Sequence, residues 1–254
     1  MGIRRILKNF FYRLKYQNKK VIIKNIKNKS ILITGANSGI GLALVKELLL
    51  HNNILYATYN TNYENLNKIK NSKLKVIRCN NENFEDLVNL KRYILNLPIN
   101  IIINNAGVWG QQNQDIIEDI NSNNLISTLK INSISIIVII NIILKYCKKN
   151  CLETIVNISS SAGSIKNNLS GGAYIYRASK ALQNSLTKNI SIDLSRRFNI
   201  KTFAVDPGNI RTKMNTNGLL SSELCAKKIL KILETQSHTT NGRFIDLNEN
   251  DISW

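Results

Sequence analysis

The chain has 254 residues with 35 Lys and Arg against 16 Asp and Glu, a formal net charge of +19, and is 43% hydrophobic and 20% charged. This is ordinary globular composition, long enough for one α/β domain around one core. The charge raises the question of nucleic acid, but no recognition module or aromatic-basic platform accompanies it, and no apolar run reaches the roughly 18 to 20 residues a membrane-spanning helix needs.

The basic excess is concentrated ahead of the first expected strand. Arg4, Arg5, Lys8, Arg13, Lys15, Lys19, Lys20, Lys24, Lys27 and Lys29 occur there without an acid. Residues 1–29 are therefore read as a basic extension and 30–254 as the domain. Within the extension Ile3, Ile6, Leu7, Phe10, Phe11 and Leu14 recur at helical spacing. Packing on the domain, weak membrane-surface contact through residues 1–20, and an organellar address all remain open for it. A cytoplasmic location is expected, with a peripheral membrane surface or an organellar matrix as alternatives. Cys79, Cys147, Cys151 and Cys225 make no C-x-x-C pair and no zinc spacing, so free thiols and no metal site are expected.

From Ser30 short apolar runs alternate with helical segments. Strands are expected at Ser30–Thr34, Asn53–Tyr59, Lys73–Cys79, Ile99–Ile103, Thr154–Ser159, Lys201–Val205 and Arg243–Asp246. Helices are expected at Ile40–Leu50, Asn123–Lys149 and Tyr176–Phe198, with another after Ser222. Repeated βαβ units of this kind predict a single doubly wound, Rossmann-type parallel sheet of six to seven strands, helices on both faces, and a ligand crevice beyond the strands' carboxyl ends. The stretch Ile134–Leu144 is apolar nearly all round, which predicts a subunit interface of a homodimer or homotetramer.

Three constellations carry chemistry. The turn after the first strand reads Thr34-Gly35-Ala36-Asn37-Ser38-Gly39-Ile40-Gly41. Its glycines permit a tight turn and close backbone approach to a pyrophosphate, which a helix N-terminus attracts. After the fourth strand comes Asn104-Asn105-Ala106-Gly107, small residues with amides able to brace strand ends. Third, Ser160 follows the fifth strand, and Tyr176 and Lys180 stand one helical turn apart on one face. An ammonium beside a phenol favours the phenolate, which makes Tyr176 a usable acid or base.

Taken together, in this order and each appearing once, these motifs resemble the short-chain dehydrogenase/reductase family in its compact form, from about Ser30 to the C-terminus. The resemblance implies hydride transfer between a nicotinamide cofactor and a small carbonyl or alcohol substrate. It also implies a tetrad of Asn132, Ser160, Tyr176 and Lys180, with Tyr176 as proton donor and Asn132 holding a water of a proton relay. Ser159 is the fallback for Ser160. Pro207, Gly208, Ile210 and Thr212, after Asp206, resemble the family's turn beside the nicotinamide. The surroundings of Tyr176 are similar to the C-factor and Sniffer-type carbonyl reductases.

Ser38 and Asn60 stand where NADP-preferring members place basic residues. The end of the second strand carries no acid of the NAD-preferring kind, and Asn80 replaces an Asp near the adenine. NADP(H) is favoured over NAD(H), on the missing acid and the subgroup. The loop Lys213–Ser222 is short and mostly polar or small, which argues against a bulky apolar ligand. A nucleotide-bound regulatory protein on the same fold is the main alternative, and a sugar-nucleotide epimerase or dehydratase a weaker one.

Overall fold

The computed structural model describes Val21, Ile23, residues 26–235 and residues 241–254. The helix expected within residues 1–20 lies outside the described residues. Strands β1 (Ser30–Ile33), β2 (Ile54–Tyr59), β3 (Leu74–Arg78), β4 (Ile101–Asn104), β5 (Thr154–Ile158), β6 (Lys201–Asp206) and β7 (Phe244–Asp246) form one sheet. Their order is β3-β2-β1-β4-β5-β6-β7, and every pairing is parallel. The doubly wound sheet therefore has seven strands, and its order reverses between β1 and β4.

The central strands are buried on both faces, which is why they read as unbroken Ile, Leu and Val runs and not as alternations. Period-two geometry sorts their side chains into two cores. Ile31, Ile33, Ile101, Ile103 and Val156 share one core with Leu44 and Leu48 of α1 (Gly39–Leu49) and Ile229 and Leu233 of α8 (Ser222–Thr235). Ile23 and Ile26, which precede the expected domain start, are buried in that same core. Leu32, Ile102 and Ile155 share the other with helices that include α3 (Phe84–Asn89), α4 (Lys91–Ile94) and α6 (Ser135–Tyr146). One further short helix, α2 (Glu64–Asn67), follows β2.

The expected helix Asn123–Lys149 is instead α5 (Ser122–Leu129), a π-helical turn over Lys130–Ile134, and α6. It stops at Tyr146 because Cys147 turns to extended backbone. Against the sequence expectation, the continuous helix Ser122–Tyr146 is long and apolar enough to cross a membrane by length and composition. Its isoleucines 136, 139, 140, 142 and 143 are nevertheless spent on the second core, while Ile134 and Ile137 are each 44% exposed on its outer face. Helix α7 runs Tyr174–Phe198, two residues earlier than expected. All four cysteines are free thiols.

Candidate active site

At the strand-order reversal two loops leave the sheet side by side and are laced together. Thr34 Oγ1 accepts from the backbone N–H groups of Asn105 and Ala106, both at 3.0 Å. Asn105 Nδ2 returns hydrogen bonds to Thr34 O at 3.0 Å and Gly35 O at 2.9 Å. Gly35 has φ +61°, and a Cβ there would lie 2.8 Å from Ala106 Cα. At Gly41 a Cβ would stand 2.3 Å from Gly35 O, so helix α1 can begin this close to the turn only without a side chain. Ser38 precedes the helix and makes no side-chain cap, leaving the first-turn N–H groups facing the cleft.

The cleft so formed encloses about 860 Å³. Gly35, Asn37, Ser38, Gly39 and Ile40 line it from the first turn, and Asn60 and Asn80 from the ends of β2 and β3. Ala106, Gly107, Pro207, Gly208, Ile210 and Thr212 line it from the loops after β4 and β6. Asn80 Oδ1 accepts from Glu82 N at 3.0 Å, which leaves its amide NH2 to donate. Three expected residues do not line the cleft. Gly41 acts through packing. Asn104 is buried beneath, donating to Asn157 Oδ1 at 2.8 Å, and its neighbour Asn105 takes the lining position. Asn132, in the π turn, is fully buried behind Gly107 and Val108. Its amide accepts from Val108 N (2.8 Å) and donates to Val108 O (3.0 Å) and Ser179 Oγ (2.9 Å).

The inner end of the cleft joins β5 to α7. Ala173 is left-handed, its N–H held by Asp115 Oδ1, and Tyr176 N donates to Gln114 Oε1 at 2.8 Å. These bonds fix the helix start, so that Tyr176 and Lys180 both line the cleft. Ser160 Oγ caps the turn at Ala162 N (3.1 Å) and hydrogen-bonds the Tyr176 phenol. Ser159, the fallback, spends its hydroxyl on Asn184 Oδ1 at 2.5 Å. The Lys180 ammonium lies 5.9 Å from the Tyr176 ring centre.

Electrostatically the pair departs from expectation. Burial pushes the Tyr176 phenol up to about 12, opposed by the Ser160 hydrogen bond and reinforced by the Asp206 charge. Burial also pulls Lys180 down to about 7, with Asp206 opposing. Desolvation thus outweighs the phenolate stabilisation expected from the neighbouring ammonium. Asp206 is itself buried, which raises its carboxyl against hydrogen bonds from Gly208 and Ser161.

Sequence reasoning passed over Trp109, whose ring packs on Tyr176 with centres 4.6 Å apart. Lys213 and Met214, from the loop Lys213–Ser222 read as bearing on the ligand, stand at the cleft wall, whereas the buried Gln183 was passed over. Trp109 adjoins the Asn104–Gly107 motif and was within reach. Gln183 carried no signal. Among the described residues no Asp or Glu lines the cleft, which suits an anionic ligand.

A family profile described as short chain dehydrogenase matches residues 29–220, well over half of the chain. The C-signal protein of Myxococcus xanthus is 28% identical over 158 residues, covering 62% of this chain and 93% of that one. An uncharacterised oxidoreductase of Saccharomyces cerevisiae is 30% identical over 212 residues, 80% of this chain and 67% of that one. Among solved structures, the carbonyl reductase Sniffer of D. melanogaster superposes with a TM-score of 0.81 at 27% identity, over 90% of this chain and all of that one. A short-chain dehydrogenase/reductase from Burkholderia multivorans with bound NADP shares the fold at 20% identity and a TM-score of 0.78, covering 89% of this chain and 100% of its own. The laced glycine turn, the reversal-point cleft and these relationships agree, and the chain is an oxidoreductase that belongs to the short-chain dehydrogenase family.

Proposed function

We propose that this protein reduces a small or medium carbonyl compound with NADP(H), Tyr176 delivering the proton to the substrate oxygen. The observation that carries the reading is the phenol of Tyr176 hydrogen-bonded to Ser160 at the inner end of the cleft, with the Lys180 ammonium beside its ring.

The cleft suits a dinucleotide, because backbone fills the space a side chain would take at Gly35 and Gly41 and an uncapped helix faces the opening. Gly35, Asn37, Ser38, Gly39 and Ile40 would hold the pyrophosphate end, Asn60 and Asn80 the adenosine, and Pro207, Gly208, Ile210 and Thr212 the nicotinamide. The chemistry supplied by the dinucleotide when bound is a hydride for the carbonyl carbon. Ser160 steadies the carbonyl oxygen as charge develops there. With its phenol near 12, Tyr176 stays protonated at neutrality and stands ready to donate. Lys180 in its charged form favours the phenolate left behind, and Asn132 holds the Gly107–Val108 backbone against that corner. NADP(H) is favoured over NAD(H) because among the described residues the wall has no carboxylate to repel a 2′-phosphate and does carry Lys213. The alternative of a nucleotide-bound regulator fits less well, since all four chemically active side chains are retained.

The test is Tyr176→Phe. Carbonyl-dependent NADPH oxidation is expected to fall to background while NADPH binding, followed by its fluorescence, persists. A variant that keeps most of its turnover overturns the role of Tyr176. NADH binding tenfold tighter than NADPH would reverse the cofactor preference.

A further inference from the structure

The Lys180 ammonium is 4% exposed and donates to two neutral acceptors, Ile158 O at 2.9 Å and Gln183 Oε1 at 2.8 Å. Gln183 stands three residues further along α7 and is 1% exposed. Its Nε2 donates to the same Ile158 carbonyl at 3.2 Å. This closed triangle fixes the direction of the amide. Reversing it would place an NH2 group against an ammonium and turn the oxygen toward a carbonyl, so the oxygen faces Lys180 for an electrostatic reason.

We infer that Gln183 is a positioning residue for Lys180, its amide oxygen holding the buried ammonium in its charged form beside Tyr176. A glutamine serves here where a carboxylate would form a tight buried ion pair and hold the lysine away from its partners.

The surroundings leave this work to few groups. On α7 the titratable neighbour is Tyr176. From the end of β6 the Asp206 charge favours protonated Lys180, with Asp246 and the Cys225 thiol behind it. From β5 and its following turn come the Ile158 carbonyl and the neutral Ser159 and Ser160, and from the loop after β4 and the π turn come Gly107 and the neutral Asn132. With Lys180 lowered to about 7, one acceptor decides how much of it is charged at neutrality.

Part of the consequence, that Lys180 charge supports proton delivery, rests on the proposed function; the contact itself does not. The test is a carbon NMR titration of protein labelled at lysine Cε, free of cofactor and substrate, with the Lys180 signal assigned by its loss in Lys180→Arg. Gln183→Met, close in volume but lacking the acceptor, is expected to weaken proton binding by Lys180 about tenfold or more. Gln183→Glu, which restores an acceptor, is expected to keep or strengthen it. In the active enzyme the alkaline limb of kcat/KM should move to lower pH in Gln183→Met and not in Gln183→Glu. A Lys180 midpoint unchanged in Gln183→Met, or lowered as far by Gln183→Glu, overturns the inference. Should one variant fail to fold, the other decides. If the NMR shifts are found but no carbonyl is reduced by the wild type, the proposed function fails and the positioning role stands.

Discussion

Replacing Lys180 by Met should make the folded state more stable at mildly acid pH while destroying activity. Lys180 titrates near its ordinary 10.5 in the unfolded chain and at about 7 when folded. Between those values the unfolded chain binds one proton more than the folded one, so wild-type stability rises with pH across that window. It is flat below about 7, where the charged amine is buried at full cost. The interval corresponds to roughly 5 kcal/mol. Three buried thiols act in the opposite direction. Burial raises Cys79 to about 12, Cys147 to about 11 and Cys225 further, so the unfolded chain ionises first and stability falls in alkali. They are common to both proteins and cancel in the difference. Urea unfolding at about pH 6 and about pH 9 measures that difference, and the stability gap between Lys180→Met and wild type is expected to narrow by about 3 kcal/mol on going from the first to the second. A gap that does not change with pH would show that Lys180 is ordinary in the folded state, and the reasoning about its burial would fall.

Two further outcomes are expected. Gly41→Ala forces a Cβ to within 2.3 Å of Gly35 O and should cost about 1–3 kcal/mol and weaken NADPH binding, followed by fluorescence titration; unchanged affinity would show that the turn has room to yield. Ile134→Asp with Ile137→Asp should turn a wild-type oligomer into monomer in analytical ultracentrifugation, and a wild type already monomeric at micromolar concentration would remove the interface reading.

The parallel sheet and its crevice were legible because buried strands and glycine turns leave strong local marks. Ile31–Ile33 and Ile101–Ile103 are apolar on both faces, and Gly35 and Gly41 answer a shortage of space that shows in the sequence. The side chains that complete the site were harder to read. Asn104 and Asn105 are adjacent and chemically identical, and strand alternation sends one into the core and the other to the cleft edge. The effect of Lys180 on Tyr176 was read from proximity along one helix, whereas desolvation, a property of the surrounding fold, dominates both groups. Asn132 was expected in the cleft, and the π turn over Lys130–Ile134 instead aims it at Val108.

Five asparagines have a structural use at the edge of the sheet opposite the cleft. Asn28, Asn52, Asn96, Asn150 and Asn199 all have φ between 57° and 61°. They precede β1, β2, β4, β5 and β6 in turn. Each supplies the left-handed residue needed to leave a helix or turn and start a strand, at a place where a side chain has space. The exception before β7 is Gly242, with φ +73°, where a Cβ would lie 2.7 Å from Ser191 Oγ. The same distinction governs Gly35 at the cleft, where backbone conformation and a close approach are demanded together. At these five strand entries asparagine therefore meets a conformational need, and at Gly242 and Gly35 glycine meets that need where there is also no room.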